Sequence, residues 1–358
     1  MLRSICWTPL ILVLVMNCVS AQDASKTVGS GIRSLLSTDS SPTPTEKKDT
    51  PSETSGSKKI PARTVANTKE ANEPKDLRKV DRKELKETPS TQGGESYLMR
   101  YKMTPGLRIS SEVTHLAKTD TKIESTEQAS TSRTVSHKMW EVISEQNGTI
   151  TFEYRILDID MSQKVGDGPE LTYSSEKSDP VLPQFQAAAD SIGKVISTVT
   201  IDPQGLIIAR SDENNPPNLG MGDITLPVPE KAVAIGATWE TPREMRIRRE
   251  DGSQKQVKFR ELYKLEKVSS GIATVSVRSE MITIISDPKE EAQVLQQLSN
   301  GIIKFDIDAG RMISKELTWD KRVVGFAGAG STMEYSARLD EQVTKTEPTA
   351  PKARSAKK

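Results

Sequence analysis

The sequence predicts a mainly β fold with a minor α component: internally duplicated antiparallel sheet units, curved or partly barrel-like, each with one amphipathic helix. Three observations predict it. Apolar and polar residues alternate with a period of two over most of residues 96–343, the pattern of half-buried antiparallel strands. One order of aromatic, glycine and Asp-Pro punctuation occurs twice. Two stretches that open on Asp-Pro, residues 179–193 and 287–301, replace the alternation with helical spacing.

The strands come first. "GTITFEYRI" puts Ile150, Phe152, Tyr154 and Ile156 on one side, and "KVISTVTI" does the same with Val195, Val199 and Ile201 around Ser197. In "GIATVSV" the matching residues are Ile272, Val275 and Val277, in a less regular phase. "HKMWEVISEQNGTITFEY" and "RELYKLEKVSSGIATVSV" share a plan: Trp140 or Tyr263, then Gly148 or Gly271 eight residues on, then a returning strand. Asn147-Gly148 suits a tight hairpin reversal.

The helices expected over 180–191 and 288–300 have marked ends. Asp287 can cap, Pro288 fits the first helical position, Glu290 can close a capping box and Gly301 can stop the helix. Val294, Leu295 and Leu298 share a face, as do Phe185, Ala188, Ala189 and Ile192 in the earlier stretch, where Pro183 disturbs the first turn. A hairpin comes after each helix, reversing at "DPQG" from Asp202 and at "DAG" from Asp308. The Asp lies nine residues after Gly193 and seven after Gly301, an even difference that keeps side chains on the same face. The segment from Ser162 to the first helix reads as a rim loop. The two copies fit either two curved sheets or one larger barrel-like sheet covered by both helices.

Outside this region the composition changes. Residues 1–21 have the charged start, apolar run and small-residue end of a secretory signal peptide, and the apolar run over 5–16 is short for a bilayer span. Residues 22–95 contain no aromatic residue and are rich in Ser, Thr, Pro and charge, so they read as a disordered spacer. Residues 96–229 and 230–343 form the two β-rich repeats, and 344–358 a disordered tail. Both cysteines, Cys6 and Cys18, fall in the leader, which excludes disulfides, thiolate metal sites and thiol nucleophiles from the mature chain. Arg3 is the one charged residue of the leader, so its removal takes the formal net charge from +1 to zero. A neutral chain offers no global field for nucleic acid or anionic lipid.

Chemistry-bearing residues are sparse. His115 and His137, the two histidines, sit in strand-like text without a spaced carboxylate cluster, and read as strand surface. Asp158 with Asp160, and Asp306 with Asp308, pair acids at strand spacing; calcium binding or hydrolysis is the alternative reading, and a solvated face or turn cap the main one. "GFAGAGS" lacks the Lys and succeeding helix of a phosphate cradle. Trp140, Tyr263, Phe152, Tyr154 and Phe305 serve as core or as the lining of an apolar site. No catalytic, cofactor-binding or metal-binding residue is assigned.

The stretches "YLMRYKMTPGLRISSEV", "TVTIDPQGLI", "ITLPVPEKAVAIGATW" and "IIKFDIDAGRMISKELTWDKRVVGF" resemble an uncharacterised family of exported planctomycete bacterial proteins, described only as a domain of unknown function. The resemblance covers residues 97–343. It implies an exported bacterial protein and transfers no functional residues. The expectation is a periplasmic or secreted, noncatalytic envelope protein, a binding or structural module without cofactor. Its partner is an envelope protein, a polymer or an apolar ligand, with no nucleic acid and no membrane span in the mature chain. The alternatives are a carrier of a lipid-like molecule in a cavity between sheet and helices, and a hydrolase or calcium-dependent protein using the clustered aspartates.

Overall fold

The structure, a computed structural model, describes residues 78–79, 86–88, 94–177, 179–212 and 225–348. The expected leader, most of the spacer, and the tail beyond Pro348 lie outside the described residues. In chain order the elements are β1 (Arg78–Lys79), β2 (Lys86–Thr88), β3 (Ser96–Tyr97), β4 (Leu107–Ile123), β5 (Thr126–Gln146), β6 (Thr149–Val165), β7 (Leu171–Ser174), α1 (Gln186–Ser191), β8 (Val195–Ile201) and β9 (Ile207–Asp212). They continue with β10 (Val233–Ala234), β11 (Thr238–Arg248), β12 (Gln254–Ser269), β13 (Ile272–Met281), α2 (Pro288–Ala292), β14 (Asn300–Asp306), β15 (Arg311–Val324) and β16 (Thr332–Pro348). No helix among the described residues is long and apolar enough to cross a membrane.

The fold is mainly β, and its strand pairs are antiparallel. One sheet has 14 strands in the order β1-β9-β8-β6-β5-β4-β16-β15-β14-β13-β12-β11-β2, with β7 added on β6; β3 and β10 form a separate pair. The path has two ends, and no pairing among the described residues closes it. This corrects the expected curved or partly barrel-like sheet units: β16 inserts between β15 and β4 and joins the strands of both expected units, apart from the β3–β10 pair, into one open sheet. β16 also reaches five residues into the stretch expected as a tail.

The expected amphipathic helices are corrected too. α1 is six residues long, behind a 3-10 turn at Pro183–Phe185, and α2 is five, succeeded by a 3-10 turn at Leu295–Gln297. Asp287 caps α2 as expected, accepting from Lys289 N at 2.9 Å. Glu290 closes no capping box; its carboxylate pairs with Arg249 at 3.1 Å and Lys255 at 2.7 Å. Gly301 is no helix stop either. It lies inside β14 opposite Val277 and Leu317, where an added Cβ would stand 2.0 Å from the Glu316 carbonyl oxygen. Its role is close backbone approach. The register argument from Gly301 to Asp308 therefore fails, and the segment after β6 carries a further strand, β7, rather than a plain loop.

The alternation holds in β6, where Ile150, Phe152, Tyr154 and Ile156 are all buried. In β13 the inward set is Ala273, Val275 and Val277, and Ile272, the first residue of the strand, has the opposite parity. Asn147 and Gly148 take the positive φ values, 53° and 81°, that a tight β5–β6 turn needs. The β5–β6 and β12–β13 hairpins place Trp140 opposite Tyr154 and Tyr263 opposite Val277.

Candidate functional site

Part of the apolar face of the large sheet is covered by two extended loop segments, which together form a strap. In the first, Met99, Tyr101 and Met103 alternate inward and are buried. In the second, Leu226 and Val228 are fully buried. The strap is tied to two hairpin turns: Tyr101 N donates to Pro203 O at 3.0 Å, Val228 N to Gln204 O at 2.9 Å, and Lys102 N to Gly310 O at 2.9 Å. Its two segments are tied to each other, because Leu226 N donates to the Tyr101 hydroxyl at 2.8 Å and Arg100 donates to Pro229 O at 2.6 Å.

The glycines of those turns therefore do more than reverse the chain. A Cβ on Gly205 would lie 2.4 Å from Tyr101 Cε2, and one on Gly310 would lie 2.6 Å from Lys102. Each glycine lets the strap lie directly on a turn. Asp202 holds the first turn by accepting from Gln204 N and Leu206 N, and Asp306 holds the second by accepting from Ala309 N at 2.8 Å. Of the pair Asp306 and Asp308, Asp306 thus caps this turn.

Beneath the strap is a cavity of about 30 Å³, bounded by Tyr101 and Met103 above, and by Ile109, Ser111, Trp140, Met312 and Val343 with Arg311 and Glu341 below. Four strands meet there. Lys138 of β5, Ser111 of β4, Glu341 of β16 and Lys315 of β15 are all buried on the inward face. Lys138 Nζ stands 2.7 Å from Glu341 Oε1 and Lys315 Nζ stands 3.5 Å from Oε2. The Ser111 hydroxyl donates to Oε1 at 3.3 Å, and Lys138 Nζ also lies 5.7 Å from the Trp140 ring centroid.

Burial opposes ionisation of Glu341, but the two ammonium groups outweigh it and hold the carboxyl below its usual range. Burial pulls Lys138 down, with Lys315 adding to the effect and Glu341 opposing it. Arg311 differs from the lysines. Its Nε is buried without a hydrogen-bond partner, and no ion pair of its guanidinium is seen among the described residues.

A larger recess of about 300 Å³ lies beside α2, lined by Arg248, Arg249, Glu250, Asp287, Lys289, Glu290 and Gln293. Four of its charges pair off, Arg249 with Glu290 and Lys289 with Glu250, so it is a weaker candidate despite its size.

The residues singled out from sequence are scattered. β6, which holds Asp158 and Asp160, and β14, which ends at Asp306, are separated by four strands. Asp158 binds His137 Nδ1 at 2.6 Å, and Glu112 approaches the other ring nitrogen at 3.3 Å. This Glu112–His137–Asp158 row crosses three strands on the solvent face and raises the His137 pKa, first through the Asp158 hydrogen bond. Burial lowers the pKa of His115, which meets the Trp319 ring edge-on. Trp140, Phe152, Tyr154, Tyr263 and Phe305 are all buried in one core, with Trp140 stacked on Phe152 at 4.5 Å and Tyr101 edge-on to Phe305 at 5.2 Å. Sequence reasoning missed Lys138, Lys315, Glu341 and Arg311. For two of them a signal existed: Lys138 has the parity of Trp140 and Val142, and Glu341 that of Leu339 and Val343.

No protein-family profile and no curated protein matches the chain. Among solved structures, one described as lipid-protein interactions in lipovitellin is similar at a TM-score of 0.32 and 12% identity. The match covers 71% of this chain and 27% of that one, so the chain spans about a quarter of its length. At that similarity nothing about fold or ligand is transferred.

Proposed function

We propose that the protein is an exported, noncatalytic binding module that takes up an apolar, lipid-like chain between the sheet and the strap. The observation that supports this best is the kind of cover the apolar face has. Over Trp140 and Met312 the cover among the described residues is two loop segments held by a small set of hydrogen bonds, while α1 adds only Ala188 to the same core. Segments of that kind open at lower free energy than the strands beneath them. Trp140, Phe152, Phe305 and Met312 form the floor that a displaced strap would expose. The cavity has room for about two waters, so uptake requires the strap to lift. This reading puts the binding space between sheet and strap, where the alternative drawn from sequence has a cavity between sheet and helices.

The noncatalytic reading is supported by the separation of the two aspartate pairs. The periplasmic or secreted placement is supported by the order of residues 1–21 and by the resemblance to exported planctomycete proteins; an N-terminus at Gln22 in exported material would check it.

Titration of the full chain with dodecanol, monitored by tryptophan fluorescence, tests uptake. Saturable binding is expected, with faster hydrogen exchange at the Tyr101 and Leu226 amides in the bound form. Tyr101→Phe removes the acceptor of the Leu226 amide, which should cost about 1–3 kcal/mol and speed uptake. If neither wild type nor Tyr101→Phe binds dodecanol, the reading fails, and the sheet is an interaction or structural module for an envelope protein or polymer.

A further inference from the structure

We propose that the cavity beneath the strap is a head-group site for a carboxylate, so that the chain taken up belongs to a long-chain carboxylic acid; this rests on the uptake reading above. The floor supplies the chemistry. Of the charged side chains that line the cavity or stand directly behind it, Arg311, Lys138 and Lys315 are cations and Glu341 is the one carboxylate. Glu341 Oε1 is engaged by Lys138 and Ser111, and Oε2, which accepts no hydrogen bond among the described residues, faces Lys315 Nζ at 3.5 Å. Arg311 is at the first position of β15, next to Gly310, whose carbonyl holds the strap at Lys102. Its buried, unpartnered Nε is a donor without an acceptor, and such a group is costly unless something accepts from it. A planar guanidinium matches a carboxylate with two parallel hydrogen bonds.

The remaining walls select an apolar tail behind the head group. Tyr101, Met103, Ile109, Trp140, Met312 and Val343 are large and mostly apolar, and they lead into the continuous core. A carboxylate replaces about the two waters that fit the cavity, and a methylene chain attached to it displaces the strap from the apolar floor. A free small anion shares the head-group chemistry but makes no use of that floor.

Calorimetric titration of the full chain with dodecanoate, dodecanol and acetate, in wild type, Arg311→Gln and Arg311→Lys, tests the site. Dodecanoate is expected to bind wild type about tenfold to a hundredfold tighter than dodecanol, the range of a charge-assisted hydrogen bond. Arg311→Gln should lose that advantage while keeping dodecanol affinity, and Arg311→Lys should restore part of it. A cooperative melt common to all three forms shows that the loss is local. Equal dodecanoate affinity in wild type and Arg311→Gln overturns the head-group site, even where dodecanol uptake stands. Acetate and dodecanoate binding alike, both lost in Arg311→Gln, upholds the anion site and overturns the apolar uptake. No carboxylate binding in any form overturns the site.

Discussion

Replacing Glu341 by Gln leaves Lys138 and Lys315 buried on one face without their shared counter-charge, and the expected cost is about 3–5 kcal/mol. Urea unfolding of Glu341→Gln measures it. Converting Lys138, Lys315 and Glu341 together to Met, Met and Leu should recover most of the loss, because the desolvation of three ions disappears with their attraction. The same residue sets a pH dependence. The folded pKa of Glu341 lies below its unfolded value of 4.5, so its contribution is complete above that pH and is lost as pH falls through the folded value. His137 has the opposite sign. Its folded pKa lies above 6.5, so the stabilisation from its pairing with Asp158 and Glu112 is complete below 6.5 and is lost as pH rises through the folded value. A urea midpoint that falls above neutrality in wild type and is flat in His137→Asn would show this. The pairing itself was hidden in the sequence, since Glu112, His137 and Asp158 meet only through the registers of three strands.

At the scale of elements, local chemistry decided which readings survived. The Asn147-Gly148 turn, the inward set of β6 and the Asp287 cap were legible because each depends on residues a few positions apart. The helices were overextended because Val294, Leu295 and Leu298 fit a helical face, yet they divide between two clusters. Val294 packs with Ile247, Val257 and Phe259; Leu295 packs with Val323, Met333 and Tyr335. A straight helix cannot serve both, and the chain breaks into a 3-10 turn between them. Gly301 makes the error testable. If it stopped a helix in the left-handed region, Ala would cost about 1 kcal/mol; in β14, its Cβ collides with the Glu316 carbonyl. Gly301→Ala should therefore destabilise by about 3 kcal/mol or more, read from thermal or urea melts, and should broaden the amide signals of Glu316 and Leu317.

For the whole molecule, the period-two pattern made a mainly β chain legible but carried no information about which strand lies beside which. The central position of β16 could not be read, because alternation fixes faces and leaves neighbours undetermined. Its pairing with β4 joins residues about 230 positions apart, as the Ser111–Glu341 hydrogen bond shows. Such long-range closure predicts slow refolding, in the millisecond-to-second range or beyond, and stopped-flow dilution from urea would measure it. A chain ending at residue 331 should lose solubility, and a synthetic peptide of residues 332–348 should restore it; a soluble, cooperatively melting truncation would contradict this.

The place of β16 also sets a timetable. While the chain emerges from a ribosome, β4 is made early and keeps one bare edge, with its ladder of amides and carbonyls unanswered until more than two hundred further residues have been added. The strand that fills that seat also brings Glu341, the counter-charge for Lys138. Completion of the β4 edge is thus deferred until residues 332–348 have been made. A neighbouring copy that supplies its own residues 332–348 presents the same register to β4 and would be accepted in place of the rightful strand.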